Sequence, residues 1–296
     1  MIFIDGVGIG NGDYKFNPFF KYGFKTFTEI FDEIPSLKRQ AINNNGSFIF
    51  PTDACLGVDG LPQSGTGQTS IFCGMNAAKY IGKHFGPFPY STLIPVIQKE
   101  NIFKAYLEKS QKVFFANAYP KQFFEYLKSG RGRLSVTTHC CRSSGVRLNT
   151  TTDVRKGKAL TAEITNDRWI KKLNYKLPRI TPQLAAKRLL KISEKNKFTL
   201  YEYYLTDHLG HWRDAGDFEN ILHSLDEFLF SVLTEMDKKN MTLIICSDHG
   251  NFEDLSVKTH TLNPALTITA GRYAKELSDS IKDLTDIKPA ILNICK

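Results

Sequence analysis

The chain has 296 residues, of which 42% are hydrophobic and 23% are charged, and it carries a formal net charge of +9. This length is sufficient for one large α/β domain, and the charged fraction is ordinary for a globular protein. No stretch approaches the roughly 18 apolar residues that cross a bilayer, which excludes a membrane-spanning helix.

The N-terminus, the cysteines and the charge bear on location and partners. Residues 1–4 are apolar, but Asp5 interrupts them, so we expect no export signal. The six cysteines contain no Cys-x-x-Cys pair, which is typical of reduced thiols in a cytoplasmic protein. A positive charge attracts anions, yet the Lys and Arg residues are spread along the whole chain. We therefore expect a solvated surface, with neither a membrane nor nucleic acid as partner.

Apolar strands alternate with longer amphipathic segments along the chain. Strands are predicted at residues 1–4, 112–115, 199–205, 241–246 and 266–269, and helices at residues 69–79, 119–127, 182–195 and 218–236. This alternation predicts an α/β fold with a mostly parallel sheet sandwiched by helices. Residues 130–177 are less regular, and they predict a small cap or an elaborated crossover within a single domain spanning residues 1–296.

Acidic and histidine side chains follow the predicted strands. Because ligands of an open parallel sheet bind at the carboxyl ends of its strands, we expect these side chains to converge. Carboxylates and imidazoles are ligands of Zn, Mn and related divalent ions, and six candidates exceed the three or four that one ion needs. The alternative is a set of unrelated turn and capping residues. The candidates are Asp5, Asp207, His211, Asp248, His249 and His260.

A Gly-rich turn that contains several hydroxyl groups opens a predicted helix at residues 61–70. The N-terminus of a helix offers free N–H groups and a positive dipole, which together favour an anion. A hydroxyl group at this position can attack phosphorus if a metal lowers its pKa. No Lys follows the final Gly, so the turn is not a Walker A loop. The alternative is a simple Ser/Thr helix cap.

Taken together, these motifs resemble the alkaline phosphatase superfamily, in the branch of cofactor-independent phosphoglycerate mutases and phosphopentomutases. They occur in the family's order from residue 2 to residue 264. The motifs are Ile2-Phe3-Ile4-Asp5-Gly6-Val7-Gly8, Ser64-Gly65-Thr66-Gly67-Gln68, Asp207-His208-Leu209-Gly210-His211, Ser247-Asp248-His249-Gly250-Asn251-Phe252-Glu253 and His260-Thr261-Leu262-Asn263-Pro264.

The resemblance implies an alkaline-phosphatase-like core, two divalent metal ions and a transiently phosphorylated Ser64. Zn or Mn are the expected ions, with Mg as the alternative. Thr66 and Thr69 are alternative nucleophiles, because the alignment inside a Gly-rich turn shifts easily. One metal is assigned Asp5, Ser64, Asp248 and His249, and the other is assigned Asp207, His211 and His260.

Two departures from the family bear on the reaction. Gln68 stands where the mutases usually have His, and the chain is much shorter than the mutases, whose inserted cap shields the phosphoenzyme from water. We therefore expect a phosphomonoesterase that acts on a small phosphorylated substrate. A phosphomutase is the first alternative, a phosphodiesterase the second, and a basic nucleic-acid-binding module the non-enzymatic one.

Contacts with the substrate are expected from residues near the nucleophile and from the irregular segment. Gly65, Gln68 and Asn117 are candidates because each follows a strand or lies in the Gly-rich turn. A bidentate Arg suits a phosphate dianion, and Arg142 is the candidate carried forward. The irregular segment offers three further arginines for this role, namely Arg131, Arg133 and Arg147.

Overall fold

The computed structural model describes residues 1–130, 132–212 and 215–295. Its strands form one seven-stranded sheet in the order β2-β3-β7-β6-β1-β5-β4. Strands β6, β1, β5 and β4 are parallel neighbours, whereas β7 is antiparallel to both β6 and β3, and β2 is antiparallel to β3. The strands are β1 (Ile2–Ile4), β2 (Ile42–Asn44), β3 (Ser47–Thr52), β4 (Val113–Phe115), β5 (Phe198–Tyr203), β6 (Thr242–Cys246) and β7 (Ala265–Gly271).

Helices cover both faces of this sheet. None of the described helices is both long and apolar enough to cross a bilayer. They are α1 (Pro18–Lys21), α2 (Lys25–Ile30), α3 (Ser64–Cys73), α4 (Ala77–Ile81), α5 (Ile94–Glu100), α6 (Ile102–Leu107), α7 (Lys121–Ser129), α8 (Val136–Ser143), α9 (Thr151–Arg155), α10 (Asp167–Leu173), α11 (Pro182–Ser193), α12 (Leu205–Gly210), α13 (Phe218–Glu235), α14 (Ala274–Ser280) and α15 (Ile287–Asn293).

Side chains alternate between the two faces of the sheet, and each face has its own apolar core. In β1, Ile2 and Ile4 belong to the core beneath α11 and α13, whereas Phe3 belongs to the core beneath α3 and α8. Successive residues of a strand point to opposite faces, so each strand supplies both layers. Helix α3 therefore lies on the same face as Phe3.

The prediction of one helix at residues 69–79 is wrong. Helix α3 already begins at Ser64 and ends at Cys73, because Gly74 adopts the left-handed conformation (φ 68°) that terminates helices. Asn76 then caps a separate helix by accepting from the backbone N–H of Lys79. The β2–β3 hairpin was not predicted, although Asn45-Gly46 at its turn is a strong hairpin signal.

The segment 130–177 contains the short helices α8, α9 and α10 rather than only irregular chain. It is tied to the end of β4 by bridges from Asn117 to Leu160 and from Ala118 to Asn149. A small apolar cluster that includes Ala118 and Trp169 holds it there. The segment thus packs beside the carboxyl ends of β4 and β5, and its role as a cap stays a prediction.

Candidate metal centre

The three aspartates of the predicted ligand set lie at the carboxyl ends of three neighbouring parallel strands. Asp5 directly follows β1, Asp248 lies two residues beyond β6, and Asp207 lies in α12, which begins just after β5. The strand predicted at residues 199–205 ends at Tyr203, and a helical turn follows it. That turn brings His211, four residues after Asp207, to the same side.

Asp207, His211 and His260 form the first ligand group. The Nε2 atoms of the two histidines are 3.1 Å apart, and Asp207 Oδ1 lies 3.3 Å from Nε2 of His211 and 3.4 Å from Nε2 of His260. Metal–ligand bonds of ~2.0–2.1 Å in a tetrahedral arrangement place ligand atoms ~3.3 Å apart. This triangle therefore has the size of a ligand set for a Zn-like ion.

Asp5, Asp248 and His249 form the second ligand group. Nε2 of His249 is 3.3 Å from Asp5 Oδ1, 3.7 Å from Asp248 Oδ1 and 3.1 Å from Ser64 Oγ. The imidazole rings of His249 and His260 stack with their centroids 3.8 Å apart, so the two groups are neighbours. These are the two sets into which the family resemblance divides the ligands.

The histidine rings are oriented by backbone carbonyls. Nδ1 of His211 donates to the carbonyl oxygen of Lys258 at 2.6 Å, and Nδ1 of His260 donates to that of Pro62 at 2.6 Å. Because a carbonyl only accepts, the proton of each neutral ring is on Nδ1 and Nε2 presents a lone pair. Two lone pairs 3.1 Å apart repel each other, and a shared cation removes that repulsion.

The charges of both ligand groups also favour a cation. Burial, together with the nearby Asp248 and Asp207, raises the pKa of Asp5 well above its ordinary value. Asp5 Oδ1 is buried, and none of the described residues donates a hydrogen bond to it. Although burial opposes the charge of Asp207, the adjacent imidazoles of His211 and His260 hold its pKa well below its ordinary value. Buried carboxylates without sufficient counter-charge fit a divalent ion in each group.

Of the three candidate hydroxyl nucleophiles, the structure brings Ser64 to the ligand groups. Ser64 is the first residue of α3 and is 5% exposed, and its Oγ faces His249. Thr66 Oγ1 donates to the carbonyl of Gln63 at 3.1 Å, and Thr69 Oγ1 donates to that of Gly65 at 2.6 Å. Both threonine hydroxyls are thus occupied by the backbone of their own helix.

Glycine is required in α3 because the helix approaches the ligands closely. A Cβ at Gly67 would lie 2.9 Å from both Cβ and the carbonyl oxygen of Asp248. A Cβ at Gly65 would lie 2.2 Å from the carbonyl oxygen of Phe88. The glycines of the Ser-Gly-Thr-Gly motif therefore let the N-terminus of α3 reach the second ligand group, and Gly65 contributes by packing.

Of the other residues predicted to contact the substrate, Gln68 lies at the ligand groups, whereas Asn117 and Arg142 have no described contact with them. Gln68 donates from Nε2 to Asp5 Oδ2 and to Asp248 Oδ2, both at 3.3 Å, so it braces the ligand carboxylates. The amide of Asn117 exchanges two hydrogen bonds with the backbone of Glu202. Arg142 is exposed in the last turn of α8. Arg147 pairs with Asp153 at 2.5 Å, and Arg131 lies outside the described residues.

Sequence reasoning missed two residues that support the ligands. Glu253 is 1% exposed and accepts hydrogen bonds from Gly8, Asn251, Thr261 and Asn263. It thereby ties the loop that carries His260 to the loop after β1. Asn251 donates to Asp207 Oδ1 at 2.8 Å. Both residues follow Asp248-His249-Gly250 closely in the sequence, which could have drawn attention to them. Their burial, which reveals their supporting role, is visible only in the structure.

Comparison with known proteins shows which folds and sequences this chain is similar to. Residues 162–296 match the model of the Metalloenzyme superfamily. The whole chain superposes on a cold-active alkaline phosphatase from a Shewanella species with a TM-score of 0.55 at 11% identity, covering 100% of this chain and 99% of that one. A protein of Pyrococcus horikoshii gives a TM-score of 0.52 at 12% identity, covering 99% and 96%. The predicted alkaline-phosphatase-like fold is therefore confirmed, and residues 162–296 are similar to the Metalloenzyme superfamily.

Among curated proteins, the chain is similar to 2,3-bisphosphoglycerate-independent phosphoglycerate mutases. It is 31% identical to that of Ehrlichia canis over 128 residues, which are 39% of this chain and 25% of the mutase. It is 28% identical to that of Ehrlichia ruminantium over 108 residues, which are 34% of this chain and 21% of the mutase. The similarity thus spans about a quarter of the length of these relatives.

Proposed function

We propose that the protein is a phosphomonoesterase that transfers the phosphoryl group of a small phosphate ester to Ser64 and then to water. The observation that supports this most directly is the position of the Ser64 hydroxyl. It is buried at the first turn of α3, 3.1 Å from His249 Nε2, beside both ligand groups. A nucleophile at this place faces a phosphoryl group held by the same groups.

Different groups would bind the metal ions and stabilise the phosphoryl oxygens. The groups of Asp5, Asp248 and His249 and of Asp207, His211 and His260 would each hold one divalent ion, Zn or Mn being preferred to Mg. When bound, such ions polarise phosphoryl oxygens and lower the pKa of nearby hydroxyls. The N–H groups of the first turn of α3 add positive potential beside the phosphoryl oxygens.

The reaction balances in two displacements. Ser64 Oγ forms a bond to phosphorus while the bond from phosphorus to the ester oxygen breaks, and the serine proton ends on the departing alcohol. Water then attacks the phosphoserine, which releases inorganic phosphate and restores the Ser64 hydroxyl. In-line displacements of this type need positioning and charge stabilisation more than covalent assistance.

The layout of the chain between Ser64 and Asp207 supports hydrolysis over isomerisation. A mutase keeps its phosphoenzyme dry beneath a closing cover. Here α4, α5, α6, α8 and α11 supply buried side chains to the sheet cores, and α9 and α10 supply the small cluster around Trp169. Phosphomutase action remains the second candidate because the curated relatives are phosphoglycerate mutases.

Incubation of phosphate esters with the Mn- or Zn-loaded protein in oxygen-18 water tests the proposal. We expect label to accumulate in free phosphate with each turnover, and Ser64→Ala to abolish the reaction. Rapid isomerisation of a sugar phosphate or phosphoglycerate with almost no free phosphate would instead establish a mutase. Release of an alcohol from a diester, with monoesters inert, would establish a phosphodiesterase.

The non-enzymatic rival is binding of nucleic acid by the basic surface, which carries the net charge of +9. Three carboxylates at the carboxyl ends of the strands, two buried and one half-buried, oppose a phosphate backbone that lacks metal, so we do not favour this function. Binding of an oligonucleotide that persists in chelator and weakens steeply with salt would support the rival. A cytoplasmic location is also proposed, consistent with the six free thiols.

A further inference from the structure

A cavity of about 260 Å³ opens at the carboxyl ends of β4 and β5. Its walls come from the chain after β4, from α10 in the segment 130–177 and from the end of β5. This segment was predicted to form a small cap or an elaborated crossover, with Arg142 as the candidate for binding phosphate. The lining side chains with a distinctive chemistry are Tyr119, Arg168, Trp169, Glu202 and Tyr204.

Strand register places this cavity beside the second ligand group. Phe3 in β1 is level with Glu202 in β5 and with Cys246 in β6. Asp5 and Asp248 each follow these positions by two residues, so they point to the same face of the sheet as Glu202. An ester whose phosphoryl group sits at the ligand groups therefore has the cavity next to it.

Glu202 is held in place but keeps one carboxylate oxygen available. Asn117 fixes its backbone through two hydrogen bonds, and Thr137 Oγ1 donates to Oε2 at 2.9 Å. Among the described residues, no donor reaches Oε1. Burial raises the pKa of Glu202 to about 7, and Asp248 adds to the shift. A half-buried carboxyl group with an unoccupied oxygen gains most from a ligand that donates a hydrogen bond.

The remaining walls are suited to a ring. Trp169 is 8% exposed and is fixed by a hydrogen bond from its backbone N–H to Glu163 at 2.8 Å. Tyr119 stacks on Phe123 with centroids 4.0 Å apart, which fixes its ring as well. Immobile aromatic walls bind flat or ring-shaped groups at little entropic cost. The volume lies just below the usual range of small-molecule pockets, about 300–1,000 Å³, so a single ring fits better than a polymer.

We propose that this cavity binds the alcohol half of the phosphate ester and selects a single ring whose hydroxyl or amino groups donate to Glu202. The inference rests on the proposed phosphoryl transfer at Ser64. It assigns substrate recognition to Glu202 and to the aromatic walls contributed by Tyr119 and Trp169. The substrate class is thus the phosphate monoester of a one-ring alcohol that carries hydrogen-bond donors.

Calorimetric binding to the Mn-loaded Ser64→Ala variant tests this without turnover. The probes are inorganic phosphate, phenyl phosphate as a ring without donors, 4-aminophenyl phosphate as the matched ring with one donor, and glucose 1-phosphate as a ring with several. We expect both donor-bearing esters to bind more tightly than phenyl phosphate, and phenyl phosphate more tightly than inorganic phosphate. Adding Glu202→Gln should lower the affinity for the donor-bearing esters about tenfold and the affinity for phenyl phosphate by less than about twofold. The exposed Glu276→Gln is the matched control and should change none of them.

Two results would overturn the proposal. If Glu202→Gln lowers the affinity for inorganic phosphate as much as that for the donor-bearing esters, Glu202 affects binding at the ligand groups and does not contact the alcohol. If neither donor-bearing ester binds better than phenyl phosphate, the cavity does not select donors. Comparison of the aminophenyl and glucose esters shows whether the ring is aromatic or a sugar. Because binding is measured without turnover, a chain that hydrolyses nothing yet shows the Glu202-dependent preference would refute the proposed hydrolysis alone.

Discussion

Replacement of Asp248 by Asn probes the second ligand group most sharply. Asp248 is fully buried, its Oδ1 accepts from the N–H of Gly6 at 3.3 Å, and its Oδ2 accepts from Gln68. Asn has nearly the same shape and keeps an oxygen for one of these bonds, but it lacks the charge. The group then offers a cation one carboxylate, that of Asp5, instead of two.

The expected loss of metal affinity follows from electrostatics. Two unit charges about 4 Å apart interact by about 4 kcal/mol at an effective dielectric constant of about 20, so the lost carboxylate should weaken binding by about a thousandfold. In excess metal, the stabilisation gained on binding then falls by about 4 kcal/mol. At about 2 °C per kcal/mol for a chain of this length, the metal-induced rise in Tm should shrink by about 8 °C.

When a chelator removes the metal, the same substitution should no longer lower the melting temperature. Without a cation, Asp5 and Asp248 repel each other, which contributes to the raised pKa of Asp5. Asp248→Asn removes that repulsion, so the metal-free variant should melt no lower than the metal-free wild type. Thermal melts with excess Mn and with EDTA, and metal content after dialysis, give both quantities. His208→Ala is the control, because its ring faces Tyr204 at 5.1 Å and belongs to neither group.

Two outcomes would refute this reasoning. A variant that keeps the full metal-induced rise in Tm would show that Asp248 is not a ligand. A variant that loses stability equally with and without metal would show that Asp248 serves the fold through its bonds to Gly6 and Gln68. Equal effects of Asp248→Asn and His208→Ala would contradict the division between ligands and neighbours.

Three further predictions concern the surroundings of the nucleophile. Ser64→Ala should keep both metals and abolish covalent labelling by a phosphate ester, whereas Thr69→Val should still be labelled because its hydroxyl is bound to the backbone; the reverse pattern would exclude Ser64. Gly67→Ala should lower metal content at least tenfold, since its Cβ would lie 2.9 Å from Asp248 Cβ; unchanged metal content would show that α3 can shift freely. Glu253→Gln should lower the free energy of unfolding by about 3 kcal/mol in urea, because it leaves buried donors less well satisfied; a loss below about 1 kcal/mol would contradict its role in fixing the His260 loop.

Short-range patterns in the sequence were sufficient to predict most of the strands. They also indicated which residues make up the two ligand groups. The strand that ends at Ile4 and the long helix α13 are visible from local hydrophobicity, because periodicity depends only on neighbours a few residues apart. The aspartates at the strand ends could be recognised because each immediately follows an apolar run. The start of α3 was missed because the register of a Gly-rich turn is set by what packs against it, such as Asp248 against Gly67.

Tertiary structure alone decided how these residues share the site. His260 is oriented by the carbonyl of Pro62, which is 198 residues away in the chain. Glu202 joins Asp5 on one face of the sheet only because β1 and β5 are neighbours, and Trp169 reaches the same cavity through α10. Contacts over such distances leave no periodic trace in the sequence, because they depend on strand order and close packing rather than on local conformation.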